Sequence, residues 1–193
     1  MNLIGIGVDF SHKKGEFCQK SNFSQYTICC FLTPFLYQRD DKLLKGQTGD
    51  FIINTPHQIV YHGPQPQSDV GFVNDWMRVT GDDIGLLLEK YPLPLNEAFH
   101  IDDWVILRKY FNNLMSEYNS EITGSSDMIE SIITQMIIVM HRAYKKKNIA
   151  TEDYHQISAV RKPLKLPALR AVVTAPTAAK TSVLYPAFPF VPI

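Results

Sequence analysis

Two imidazoles lie close together in the stretch GQTGDFIINTPHQIVYHGP (Gly46 to Pro64), at His57 and His62. Imidazole joined by carboxylate is a ligand set for iron, manganese or zinc. A metal site needs at least three protein ligands converging on one point. Here the histidines are five residues apart without a His-x-His pair, and the next strand pattern offers Asn74 and Asp75 in place of a further histidine. Cys18, Cys29 and Cys30 lack zinc spacing. Cys29 and Cys30 fall in an apolar strand pattern, where a free thiol behaves as a small buried hydrophobe. No Ser/His/Asp or Cys/His set stands out, and the glycines of GIGVD do not have the spacing of a phosphate loop. No catalytic residue, metal ligand or cofactor is therefore expected.

The elements that position these residues fall into three zones. Up to about residue 80 the chain reads as strands. In QYTICCFLTPFLYQ, Tyr26, Ile28, Cys30 and Leu32 alternate with Thr27, Cys29, Phe31 and Thr33, and Pro34 breaks the run. DFIINT and QIVYH are two further strands, separated at Thr55-Pro56-His57 because proline forbids a ladder hydrogen bond. RDDKLLKGQTG reads as turns around a short strand, and VGFVNDWMRVT as another strand. LIGIGVDF is expected as a terminal strand or arm.

A helical zone follows. Asp82 to Tyr91 starts with acids suited to a helix N-terminus and stops at Pro92. DDWVILRKYFNNLMSEY puts Trp104, Leu107, Phe111, Leu114 and Tyr118 on one face. Asp127 and Glu130 can form a capping box ahead of MIESIITQMIIVMHRAYKKK, which Lys145 to Lys147 are expected to close. Ile129, Ile132, Ile133, Met136, Ile137 and Met140 make one broad stripe. Such a stripe fits a core helix and equally a helix shared with a partner subunit.

From Tyr154 onward there is no Asp or Glu, and half of the twelve prolines lie between Pro163 and Pro192. Residues 161–193 are expected to form an irregular tail. With 193 residues, 45% hydrophobic and 20% charged, the chain can bury a real core. Nineteen basic residues balance nineteen acidic ones, whereas a DNA-binding domain usually has a basic excess. The start MNLIGIGVDF has no basic n-region, and no apolar run reaches the ~18 residues that span a bilayer. A cytoplasmic protein is expected.

An aromatic strand ending in a proline turn (YTICCFLTPF), then KGQTGDFIINTPHQIVYHGP, then FVNDWMRV and a helix pair, occur here in an order that resembles the N-terminal regulatory domain of AraC-type transcription factors. The resemblance covers roughly residues 10 to 160. It rests on the G-D-x-x-x-x-x-P turn, the histidine ending the next strand, and the N-D-W strand before the helices. It implies an α+β protein: a cupin-like β-barrel (jelly roll) over residues 1–95, a helical dimerisation region over 96–160, and a tail over 161–193. It also implies a small-molecule effector such as a sugar, a homodimer, and DNA binding through a helix-turn-helix domain. Only thirty residues remain after Pro163, fewer than the ~50 of a small domain. That DNA-binding half is expected to be absent from this chain, lost by a truncation or a change of reading frame.

By the same resemblance, Trp76 matches an aromatic that stacks on the effector in sugar-sensing members. Asn74, on the same strand face, and His62 match polar contacts, and Thr33 falls where those members carry an arginine. Without a guanidinium there, the effector need not be the same sugar. Leu107, Phe111, Ile133, Ile137 and Met140 are the expected dimer contacts. Trp76 could equally fill the core, Asn74 and Asp75 could form a strand-end turn, and His57 suits a corner. Tyr26 and Tyr37 could line the barrel, with no choice of face. Two rivals stay open: a metal-dependent cupin enzyme and a stand-alone small-molecule-binding cupin.

Overall fold

Side-chain alternation organises the first half of the molecule. The computed structural model describes residues 1–160, apart from 21, 22, 67, 69 and 121; the expected tail over 161–193 lies outside the described residues. Nine strands are present among the described residues: β1 (Asn2–Ser11), β2 (Cys18–Lys20), β3 (Tyr26–Phe31), β4 (Phe35–Arg39), β5 (Lys42–Gly46), β6 (Asp50–Asn54), β7 (Val60–Pro64), β8 (Val73–Thr80) and β9 (Ala98–His100). They form two antiparallel sheets, one ordered β1-β8-β3-β6-β9 and one ordered β2-β7-β4-β5. The protein is α+β, with helices α1 (Asp82–Lys90), α2 (Trp104–Tyr118) and α3 (Ser125–Val160).

The five-stranded sheet is the middle of three layers. Successive residues of a strand point to opposite faces. In β3, Ile28 and Cys30 join Phe51, Ile53, Met77 and Val79 in the core under the helices. Cys29 and Phe31 face the other way and meet Phe35 and Tyr37 of the four-stranded sheet. Phe31 and Phe35 stack across that gap with ring centroids 3.4 Å apart. Tyr37 thus lies between the sheets, whereas Tyr26 packs on the helix side. The expected boundary near residue 95 crosses a shared core. Ile84 and Leu88 of α1 precede it, Phe99 of β9 follows it, and all three pack in the same cluster.

The five expected dimer contacts are placed inside the single chain. Leu107, Phe111, Ile133, Ile137 and Met140 are at most 1% exposed and cover the outer face of the sheet. Burial of each such side chain stabilises by roughly 1.5–3 kcal/mol, and a buried group has no surface left to offer a second copy. The stripe on α3 is therefore a core stripe.

Two helix ends also differ from expectation. α3 passes through Lys145 to Lys147 and runs to Val160, since lysine is a good helix former and no glycine or proline stops the chain before Pro163. Lys147 Nζ lies 3.1 Å from Asp102. The helix starts at Ser125, whose hydroxyl donates to Ile122 O (2.9 Å), and Glu130 accepts from the Met1 amine (2.9 Å) instead of closing a capping box.

Candidate ligand-binding site

Between the two sheets, the end away from the Phe31–Phe35 stack is hollow. The cavity is about 190 Å³ and is lined by Phe10, His12, Cys18, Phe23, Thr27, Cys29, Val60, His62, Asn74, Trp76 and Arg78. That is below the ~300 Å³ at the small end of pockets for drug-sized ligands, so a guest would be small. Strand parity supplies most of the wall: Asn74, Trp76 and Arg78 are alternate residues of β8, Thr27 and Cys29 of β3, and Val60 and His62 of β7. A second, larger hollow near Tyr37, Asn54 and Asn96 shares Val60 and His62, but it is more polar, lacks the tryptophan, and carries Asp40 beside its one arginine, Arg39.

Phe10 and His12 reach the cavity through a bulge. Gly7 pairs with Trp76 and Phe10 with Asn74, so β1 carries one more residue than β8 across this interval. An extra residue reverses which face the following side chains take. Asp9 has a left-handed backbone (φ 51°) there, and its N–H donates to Asp75 Oδ1 at 2.7 Å. Beyond it, His12 stacks on Phe72 with centroids 4.0 Å apart. With the proton on Nε2, His12 donates to Asn74 Oδ1 at 3.2 Å. Its Nδ1 is then buried without a hydrogen bond, and the nearest charge is Glu16 Oε1 at 3.7 Å. Thr27 Oγ1, also facing the cavity, is buried without a hydrogen-bond partner among the described residues.

Trp76 lies against the backbone of β1, which explains the glycines of GIGVD. A Cβ on Gly7 would sit 2.5 Å from the indole nitrogen, whereas one on Gly5 would make an ordinary 3.4 Å contact. Phe10 meets the indole edge-on, with centroids 6.1 Å apart. Arg78 is held over the rings of Trp76 (4.8 Å) and Phe23 (5.1 Å). Among the described residues no carboxylate forms an ion pair with it.

The structure thus brings His62, Asn74 and Trp76 to one cavity and leaves Thr33 out. Thr33 Oγ1 accepts from the N–H of Val73 at 2.9 Å, a hydrogen bond that ties the β3–β4 turn to β8. His57 is a corner residue, with φ 65° and its N–H donating to Phe23 O. Asp75 does not form a strand-end turn with Asn74. It points to the helix side, fully buried, where Arg108 of α2 donates through Nε at 2.7 Å. That hydrogen bond is the largest cause of the raised Arg108 pKa. Among the described residues no three His, Cys, Asp or Glu side chains stand close enough together to hold a metal ion. Arg78, the charged group that sequence reading missed, was two alternations beyond Asn74 and could have been found by extending the Asn74–Trp76 face. His12 and Phe10 carried no such signal.

No family model and no curated protein matches the sequence. Among solved structures, the chain is similar to the AraC-like transcriptional activator CuxR, at 13% identity and TM-score 0.42 over 63% of this chain. It is also similar to apo ToxT K231A from Vibrio cholerae strain SCE256, at 9% identity and TM-score 0.44 over 75% of this chain. The chain spans about half the length of these structures, 43% of the first and 56% of the second.

Proposed function

We propose that this chain is the small-molecule-sensing regulatory region of an AraC-type transcriptional regulator, a binding protein and not an enzyme. The observation that carries the reading is the hollow between the sheets, where Trp76, Asn74 and His62 meet around unfilled space. Aromatic walls with a few placed polar groups are the usual make-up of a ligand pocket. The metal-enzyme alternative has no comparable observation in its favour, and the stand-alone binder differs only in having no DNA-binding partner domain.

The route from cavity to helices runs through β1 and β8. Phe10 and His12 are placed by the Asp9 bulge, which is fastened by Asp75, and Asp75 is fastened in turn by Arg108 of α2. A guest that moves Phe10 or Trp76 would shift how α2 sits, and so bias DNA-binding domains carried by the full-length regulator. The shift can be no larger than the guest's differential affinity for the two arrangements. Pairing of two copies would use the outer face of α2, where Val105 and Ile106 are exposed.

Native mass spectrometry of the purified chain, with and without mixtures of small metabolites, tests the reading. A bound organic molecule that is lost in Trp76→Ala supports it. A bound metal ion, or organic binding unaffected by Trp76→Ala, overturns it.

A further inference from the structure

We infer that the guest is a small carboxylate with an apolar or aromatic body, and that Arg78 receives the carboxylate. The inference rests on the reading of the cavity as a ligand site. Three observations point to the charge. Arg78 is a permanent cation whose guanidinium stands over Trp76 and Phe23 at 4.8 and 5.1 Å, held there by ring contacts and by no carboxylate among the described residues. Among the described residues no Asp or Glu lines the cavity. A guanidinium aimed at an apolar hollow without a counter-ion matches one ligand chemistry best, a planar anion that it can grip through two parallel N–H bonds.

The rest of the wall defines the body of the guest. Phe10, Phe23, Trp76, Val60 and Cys29 surround it with carbon, sulfur and ring faces. One polar group is left to donate to a second oxygen, the Thr27 hydroxyl, buried without a hydrogen bond among the described residues. A sugar carries no charge to answer the Arg78 guanidinium. A phosphate dianion would call for a second permanent cation or a cradle of backbone N–H groups, and among the described residues Arg78 is the one arginine or lysine in the lining.

Isothermal titration and thermal-shift measurements on the whole chain decide the matter. The probes are benzoate, phenylacetate and hexanoate, each beside its neutral amide, with phenylphosphate added. The acids should bind the native chain at least about tenfold more tightly than the amides, the size expected when a charge-assisted hydrogen bond is lost. Arg78→Gln should remove that preference, weakening the acids about tenfold more than the amides. Should Arg78→Gln fail to fold by circular dichroism, Arg78→Lys is read instead: it keeps the charge but loses the fork, and acid binding should fall by several-fold. Equal binding of acids and amides overturns the carboxylate and leaves the cavity reading intact. Tighter binding of phenylphosphate than of benzoate also overturns it. Absence of binding by every probe overturns both this inference and the cavity reading.

Discussion

Arg108→Met should be among the more damaging substitutions of a partly exposed residue in this chain. Asp75 has no exposed surface and receives three donors: the Asp9 N–H at 2.7 Å, Arg108 Nε at 2.7 Å and Arg108 Nη2 at 3.4 Å. Methionine keeps the aliphatic packing of Arg108 but leaves a buried carboxylate with one donor. Removing one partner of a buried ion pair costs about 3–5 kcal/mol. The Arg108 side chain is 24% exposed, so water can reach the site it vacates, and a cost near 3 kcal/mol is expected. Against a total stability of about 5–15 kcal/mol, that is a visible loss.

Urea unfolding followed by far-ultraviolet circular dichroism measures it, in a cycle with Asp75→Asn. Asparagine still accepts from the Asp9 N–H but carries no charge to strand, so Arg108→Met should cost clearly less on the Asp75→Asn background, by about 1–2 kcal/mol. Hydrogen exchange at the Asp9 amide should quicken in Arg108→Met, because the acceptor that fixes the bulge is no longer held. A loss below about 1 kcal/mol, equal on both backgrounds, would refute the tether. Alkali should not mimic the mutation. Arg108 holds its proton more tightly folded than unfolded, chiefly through its hydrogen bond to Asp75. Its contribution is then fully present below the ordinary arginine value and is lost only as pH climbs past the still higher folded one.

Gly7→Ala should destabilise by about 1–3 kcal/mol, since its Cβ would press on the indole of Trp76, while Gly5→Ala should be close to neutral by the same unfolding assay. Burial, and after it the negative charge of Asp75, pushes the Cys30 thiol far above its usual value of 9.0. Above about pH 9 the unfolded thiol therefore ionises and the folded one does not, so stability should fall by up to about 1.4 kcal/mol per pH unit, a slope that Cys30→Ala removes. Iodoacetamide at pH 8 should label the half-buried Cys18 first and reach Cys29 and Cys30 only after denaturation, as read by mass spectrometry. Ile137→Asp should unfold the chain. Ile106→Glu should leave it folded, and if two copies pair through α2, sedimentation should show that variant as a monomer.

What the sequence disclosed and what it concealed have separate physical causes. Period-two alternation located β3, β6, β7 and β8, and helical periodicity located α1, α2 and the first turns of α3, because each signal is local to its element. Alternation also put Asn74 and Trp76 on one face, and that face became a cavity wall. Phe10 and His12 were hidden because their side depends on one extra residue at Asp9, and a bulge of that kind leaves no mark on composition. The three-residue strands β2 and β9 are too short to show a period. Leu107, Phe111, Ile133, Ile137 and Met140 could not be assigned from sequence to core or interface, since both environments ask for the same side chains. Only the sheet beneath them decides. Thr33 was placed by position in a pattern rather than by face, and its hydroxyl went to a backbone amide.

The division of labour within β8 explains how a site in one layer can be felt in another. Asn74, Trp76 and Arg78 look into the cavity, while Asp75, Met77 and Val79 look toward the helices. A pleated strand in the middle of a sheet cannot rotate one face without the other, and β8 is held by β1 on one side and β3 on the other. Displacement of Trp76 therefore has two outlets: slip of β1, whose Gly5 and Gly7 lie against the indole, or movement of the strand as a body. β1 is the softer element, since it is an edge strand carrying two register irregularities. Its charged fastening to α2 is the Asp9 bulge, where Arg108 Nη2 lies 2.8 Å from Asp9 as well as binding Asp75. Any strain put on β1 from the cavity would then be resisted first at Arg108. The ion pair that stabilises the fold is thus also the place where a bound guest would act on α2.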